Sequence, residues 1–329
     1  MALGYKGCMP NAILHPRARP APSRPRRRAV RFAALLLAAL PLLQGCGERE
    51  APIVPPEYSE KRLPGAAPVL RFGVHPLHNP NRLFELYGPI VDAVNRAIPD
   101  AELRLEASRD YADFERKLRE RELDLALPNP YQTLKAVRHG YRIIGKVKGD
   151  EDFRGIILTR AKSAPGSVRE LRGKTLACPA RTALAACMMP LLYLNELGLD
   201  VRRDLTVMEV GSQESSILNV ARGLTDAAAT WPPPWRAFQR AYPELAATLS
   251  VRWETEPLPN NGLVAREDLP EELGARIVEQ LVRLDGNDAG RSLLQAAEIA
   301  GFEPANQATY APLTTFLERY ETRLGALPE

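Results

Sequence analysis

Cys178 and Cys187 stand nine positions apart near the middle of the chain. In an oxidising compartment such a pair forms a disulfide closing a short loop, which contributes about 3 kcal/mol or less. As thiols, the same two residues would instead offer soft ligands to a thiophilic species such as a trivalent metalloid. His75 and His78 sit either side of Pro76 and Leu77. Two histidines without a third ligand, and without an HExxH pattern, do not make a metal site. His75, directly after a strand, is expected to touch a ligand. Trp231 and Trp235 bracket three prolines. Their rings either pack between domains or form one wall of a ligand cage, where an aromatic face attracts a cation by about 0.5–2 kcal/mol.

A second set of residues sits where helices begin. Thr182 precedes the apolar run that includes Ala183 and Leu184, and Ser212 precedes Gln213 and Glu214. Thr and Ser are N-cap residues, and helix starts present N–H groups and a positive dipole end to an anion. Glu214 would repel an anion and suits a ligand ammonium. Asn129, Tyr131 and Gln132 follow an apolar strand, and Arg154 and Arg181 are the cations available to neutralise an anion. Arg154 either reaches the ligand or pairs with Asp152. A G-x-S-x-G elbow, a Walker loop and a dinucleotide fingerprint are all missing from the sequence, and the chemistry expected is retention of a small molecule, with no cofactor and no turnover.

These residues need a frame. From Val69 onward, β-branched runs alternate with amphipathic stretches, the pattern of an α/β fold. Strands are expected at 69–75, 102–107, 123–127, 141–148 and 155–159, with helices at 81–98, 111–122 and 130–139. The pattern restarts with strands at 174–178, 205–210, 226–231 and 251–255, a short helix at 168–171, and helices at 182–197, 212–222 and 233–249. A strand at 262–265 returns the chain to the first unit, and helices at 271–284, 290–299 and 306–324 complete it. The fold class expected is two-lobed α/β, each lobe a mostly parallel sheet flanked by helices, joined by a two-strand hinge near 153–159 and 256–263. Lobe I takes 69–155 plus 258–329, and lobe II, inserted, takes 156–257. Ligands in such sheets bind beyond the carboxyl ends of the strands, so the solute is expected in the gap between lobes.

The amino-terminal region speaks of place. Of 44 Lys and Arg against 40 Asp and Glu, eight basic residues and no acidic one lie in 1–45. The remainder holds 36 basic against 40 acidic residues, which argues against a nucleic-acid partner. Arg26–Arg31 followed by the apolar run Phe32–Leu43 reads as a signal peptide spanning 1–45, because a bilayer-spanning helix needs about 20 apolar residues. Leu43-Gln44-Gly45-Cys46 resembles the bacterial lipobox, whose cysteine carries the lipid. The proline-bearing stretch 46–68 reads as a tether.

The segments RFGVHPLHNP, DLALPNPYQTL, FRGIILTR, LRGKTLACPARTALAACMMPLLYL and GSQESSILNVARGLTDAAATWPPPW follow one another in order. Together they resemble the PhnD-like substrate-binding proteins of phosphate, phosphite and phosphonate ABC transporters, over about residues 69–320. The resemblance implies a type II periplasmic binding fold gripping an oxyanion, a monomer, and a membrane permease as partner. Some relatives are sensors, which makes a sensor kinase the alternative partner. Family members carry a Ser-Thr-Ser-Gly loop seven residues ahead of a proline. Counting back from Pro190 places Ala183, Leu184, Ala185 and Ala186 there, so three hydroxyl donors are missing. A hydrogen bond to a charged group contributes roughly 1.5–3 kcal/mol, and Arg181 is the residue expected to compensate.

Overall fold

The computed structural model describes residues 67–328. The expected signal peptide, Cys46 and all but the last two residues of the expected tether lie outside the described residues.

Local signals set each element. Helix α1 (Pro80–Ala97) starts where Asn79 accepts from the Arg82 N–H, with proline in its first position, and it buries Leu83, Leu86, Tyr87, Ile90, Val91 and Val94 at helical spacing. It follows β1 (Val69–Val74) and precedes β2 (Glu102–Glu106). Then come α2 (Tyr111–Arg119), β3 (Leu125–Leu127), α3 (Pro130–Arg138) and β4 (Tyr141–Val147). The second sheet is built from β5 (Ile156–Arg160), β6 (Lys174–Cys178), β7 (Leu205–Glu209), β8 (Ala227–Thr230) and β9 (Leu249–Glu254). Its helices are α4 (Met189–Glu196), α5 (Gln213–Ala221), α6 (Pro232–Ala241) and α7 (Pro243–Ala246). The chain returns through β10 (Gly262–Arg266), α8 (Glu271–Val282), α9 (Asp288–Ala296), β11 (Phe302–Glu303) and α10 (Ala311–Leu324).

Two sheets result, ordered β11-β4-β10-β3-β1-β2 and β7-β6-β8-β5-β9. The mostly parallel arrangement expected holds only for the βαβ parts. β1 runs parallel to β2 and β3, and β6 to β7 and β8. Both sheets are mixed, because each strand entered through the crossover, β10 in one and β5 in the other, runs antiparallel to both its neighbours.

The two crossing segments are bonded to each other. Leu258 N–H donates to the Phe153 carbonyl at 3.0 Å, and Thr255 N–H to that of Gly155 at 2.9 Å. Asn260 fixes the return crossing, its N–H donating to Asp150 and its amide to the Gly149 carbonyl. Gly155 permits a close approach: a Cβ there would lie 2.6 Å from the Ala185 carbonyl oxygen and 2.8 Å from the Pro190 ring.

Helix α10, which the sequence assigns with lobe I, lays its buried Leu313, Phe316, Leu317, Tyr320 and Leu324 into the same apolar cluster as Leu191 and Leu192 of α4 in lobe II. Arg319 pairs with Glu196 at 2.7 Å on that side.

Candidate functional site

The edges of the two sheets meet at a small cavity of about 10 Å³, lined by His75, Tyr111, Asn129, Phe153, Gln213, Trp231 and the backbone turn 183–186. That is room for about one water. A larger chamber of about 420 Å³ lies farther out, between the α1 start (His78, Asn79, Arg82) and α5 and α6 (Glu214, Phe238, Tyr242). Both chambers take walls from both lobes. The gap expected between the lobes is therefore narrow on the inside and open on the outside. The apolar Ala183–Ala186 side chains are all buried.

The helix at this edge begins unlike its sequence signal. Thr182 is not its N-cap: Ala183 holds that place, without a side-chain cap bond, and Leu184–Met188 form a wide π turn before α4. Pro190 has no N–H for an i→i−4 bond, which leaves the Ala186 carbonyl without that regular partner. The first N–H groups of the turn have no intrahelical acceptor, and the turn faces the cavity. Behind it, Cys178 and Cys187 are joined as a disulfide, with Cα atoms 5.5 Å apart. Both are buried.

Three polar side chains line the cavity together with this turn. Asn129 caps α3, its Oδ1 accepting from Gln132 N–H at 3.0 Å, and its Nδ2 donates across the lobes to the Thr182 carbonyl at 3.0 Å. Gln213 donates to the Tyr111 hydroxyl at 3.4 Å and accepts from the Thr230 hydroxyl at 2.8 Å. His75, 2% exposed, places Nδ1 3.0 Å from the Leu127 carbonyl oxygen. Burial drives its pKa down to about 4, the Leu127 bond opposing in part, so the ring is neutral. Burial, with Arg82 and His75 adding repulsion, also lowers His78 to about 4. Its buried Nε2 has no partner among the described residues.

Other expected site residues lie elsewhere. The Tyr131 hydroxyl donates to the Pro328 carbonyl at 2.5 Å, and the Gln132 amide donates to Glu115 at 2.9 Å. Arg154 pairs with Glu254 at 2.8 Å and not with Asp152, which is bonded instead by Arg236. Arg181, half-exposed, bonds Glu209 through its backbone N–H and side chain. Neither arginine lines either chamber. Trp235 packs on Phe238 inside lobe II, whereas Trp231 lines the cavity and meets Phe153 at 5.3 Å. Ser212 caps α5 by accepting from Ser215 N–H, and Glu214 accepts from the Tyr242 hydroxyl at 2.6 Å in the outer chamber.

Sequence reasoning did not single out Tyr111 or Phe153. Tyr111 follows Asp110, whose side chain caps α2, and a cap just beyond a strand was the available signal. Among the described residues no cluster of three His, Cys, Asp or Glu could hold a metal, and no helix is long and apolar enough to cross a membrane.

Two mixed sheets joined by paired crossings, with a cavity at their facing edges, define a two-lobed solute-binding protein of the type II periplasmic class. The chain belongs to the family described as ABC transporter, phosphonate, periplasmic substrate-binding protein, whose model matches residues 72–310. It is thus a binding protein of a transport system and not an enzyme. Among solved structures it is similar to a binding protein component of an ABC phosphonate transporter from Pseudomonas aeruginosa, at 17% identity over 78% of this chain and 87% of that one, with a TM-score of 0.71. PhnD1 from Prochlorococcus marinus, in complex with methylphosphonate, matches at 18% identity over 76% and 97%, TM-score 0.69. The alkanesulfonate-binding protein SsuA from Xanthomonas axonopodis pv. citri, bound to MOPS, matches at 17% over 80% and 96%, TM-score 0.59.

Proposed function

We propose that this protein is a lipid-anchored, extracytoplasmic receptor that holds a small oxyanion of the phosphate, phosphite or phosphonate type between its lobes and presents it to an ABC permease. The observation that carries the reading is the inner cavity, where the turn 183–186, with the amides of Leu184–Ala186 free of backbone acceptors, faces Asn129 and Tyr111 from the opposite lobe. Backbone N–H groups at a helix start favour an anion without any cationic side chain. With Arg154 and Arg181 engaged elsewhere, the ligand's charge is met by dipoles, and Trp231 forms a wall. A cavity this small admits a phosphonate only when the lobes part, breaking the bonds from Asn129 to Thr182 and from Gln213 to Tyr111. The lipobox-like Leu43–Cys46 supports the anchor.

The test is thermal unfolding with methylphosphonate, phosphite, phosphate, arsenite and a quaternary amine. A ligand at 100 times its Kd adds about 2.7 kcal/mol. Stabilisation by an oxyanion is expected; stabilisation by arsenite or the amine alone would overturn the reading.

A further inference from the structure

His75 differs in kind from the other polar groups of the cavity. A carbonyl oxygen only accepts, so the Nδ1 that lies 3.0 Å from Leu127 O must carry the proton. In the neutral ring Nε2 is then a bare acceptor, and it has no bonding partner among the described residues. Opposite it stand donors. Gln213 already donates to the Tyr111 oxygen, leaving the Tyr111 proton to give. The Asn129 orientation is fixed by Gln132 N–H on its oxygen, and one of its two Nδ2 protons is spent on Thr182. The amides of Leu184, Ala185 and Ala186 complete the donor set, the Ala183 N–H being spent on the Ala180 carbonyl.

We propose, building on the oxyanion reading above, that the cavity takes its ligand singly protonated, the ligand's P–OH donating to His75 Nε2, and rejects tetrahedral anions that carry no proton. A fully ionised oxygen would set its lone pairs against those of Nε2. A sulfonate or sulfate has no proton to give. No Asp, Glu, Lys or Arg lines the cavity to change this balance. Tyr111 on α2 is held protonated by burial. Glu115 of α2 is engaged by Gln132 and Lys135. His78, Arg82 and Glu214 line the outer chamber.

Calorimetric titration of the purified protein between pH 5.5 and 8.5 with methylphosphonate and methanesulfonate tests this directly. Methylphosphonate affinity should be level below the ligand's second ionisation and fall about tenfold per pH unit above it, since only the protonated fraction is competent. Methanesulfonate should bind at least about a hundredfold more weakly throughout. His75→Gln, whose amide can donate to Leu127 and accept from the ligand, should keep both patterns, and His75→Leu should lose the preference. Methanesulfonate within about tenfold of methylphosphonate, or methylphosphonate affinity flat across its second ionisation, overturns the inference while leaving an oxyanion receptor standing. Binding of neither anion overturns both.

Discussion

Asn129 of lobe I donates its side-chain N–H to the Thr182 carbonyl of lobe II at 3.0 Å. The same side chain caps α3, so one residue serves a local and a long-range bond. The two roles separate in Asn129→Asp. A carboxylate keeps the cap but faces a carbonyl oxygen with no proton. We expect stability within about 1 kcal/mol of wild type together with a larger radius of gyration in solution scattering. A variant as compact as wild type would show that this bond does not hold the lobes together.

Gly155 lies at the crossing, against the π turn. Its alanine variant should lose about 1–3 kcal/mol, because the new Cβ would sit 2.6 Å from the Ala185 oxygen. Urea unfolding reads this, and a loss below about 0.5 kcal/mol would mean the turn relaxes freely.

Cys178 and Cys187 close the loop that delivers the turn. Mass spectrometry should find no free thiols in these two positions, and reduction should lower stability by about 3 kcal/mol or less. Free thiols that bind arsenite would reverse that assignment.

Stability should fall with acid through the two histidines. Both stay neutral when folded, with pKa values driven down to about 4, and both take up a proton near pH 6.5 when unfolded. Nothing is lost above pH 6.5; the loss grows as pH falls from about 6.5 to about 4 and then levels off, at about 3 kcal/mol per ring at most. Replacing His78 by Gln should flatten the pH profile of the melting temperature over that window.

Glu298 of lobe I is bonded by Arg236 and Arg240 of α6, and its backbone lies at φ 57°. Partly exposed pairs contribute about 0.2–1 kcal/mol each. Glu298→Gln, which touches both pairs, should therefore cost no more than about 2 kcal/mol at low salt, and the difference should shrink at about 1 M salt, where screening reaches about 3 Å.

What the sequence carries is mostly local. The Asn79 and Asn129 caps and the periodic apolar residues of α1 mark their elements without reference to the rest of the chain. The break between α6 and α7 comes from Pro243, whose missing N–H interrupts the helix expected over 233–249. Long-range partners were not legible. Arg181 finds Glu209 twenty-eight residues away, and Tyr111 joins the site only through Gln213 of the other lobe. β11 has two residues and pairs with β4 through a contact no periodicity announces. The direction of β5 and β10 depends on a crossover whose geometry no strand encodes by itself.

The chain's final stretch ties these halves together. α10 sits on lobe II, yet a few residues later the Pro328 carbonyl accepts a hydrogen bond from the Tyr131 hydroxyl in lobe I. The carboxyl tail is thus a strap over the seam, and any swing of one half from the other has to unfasten it.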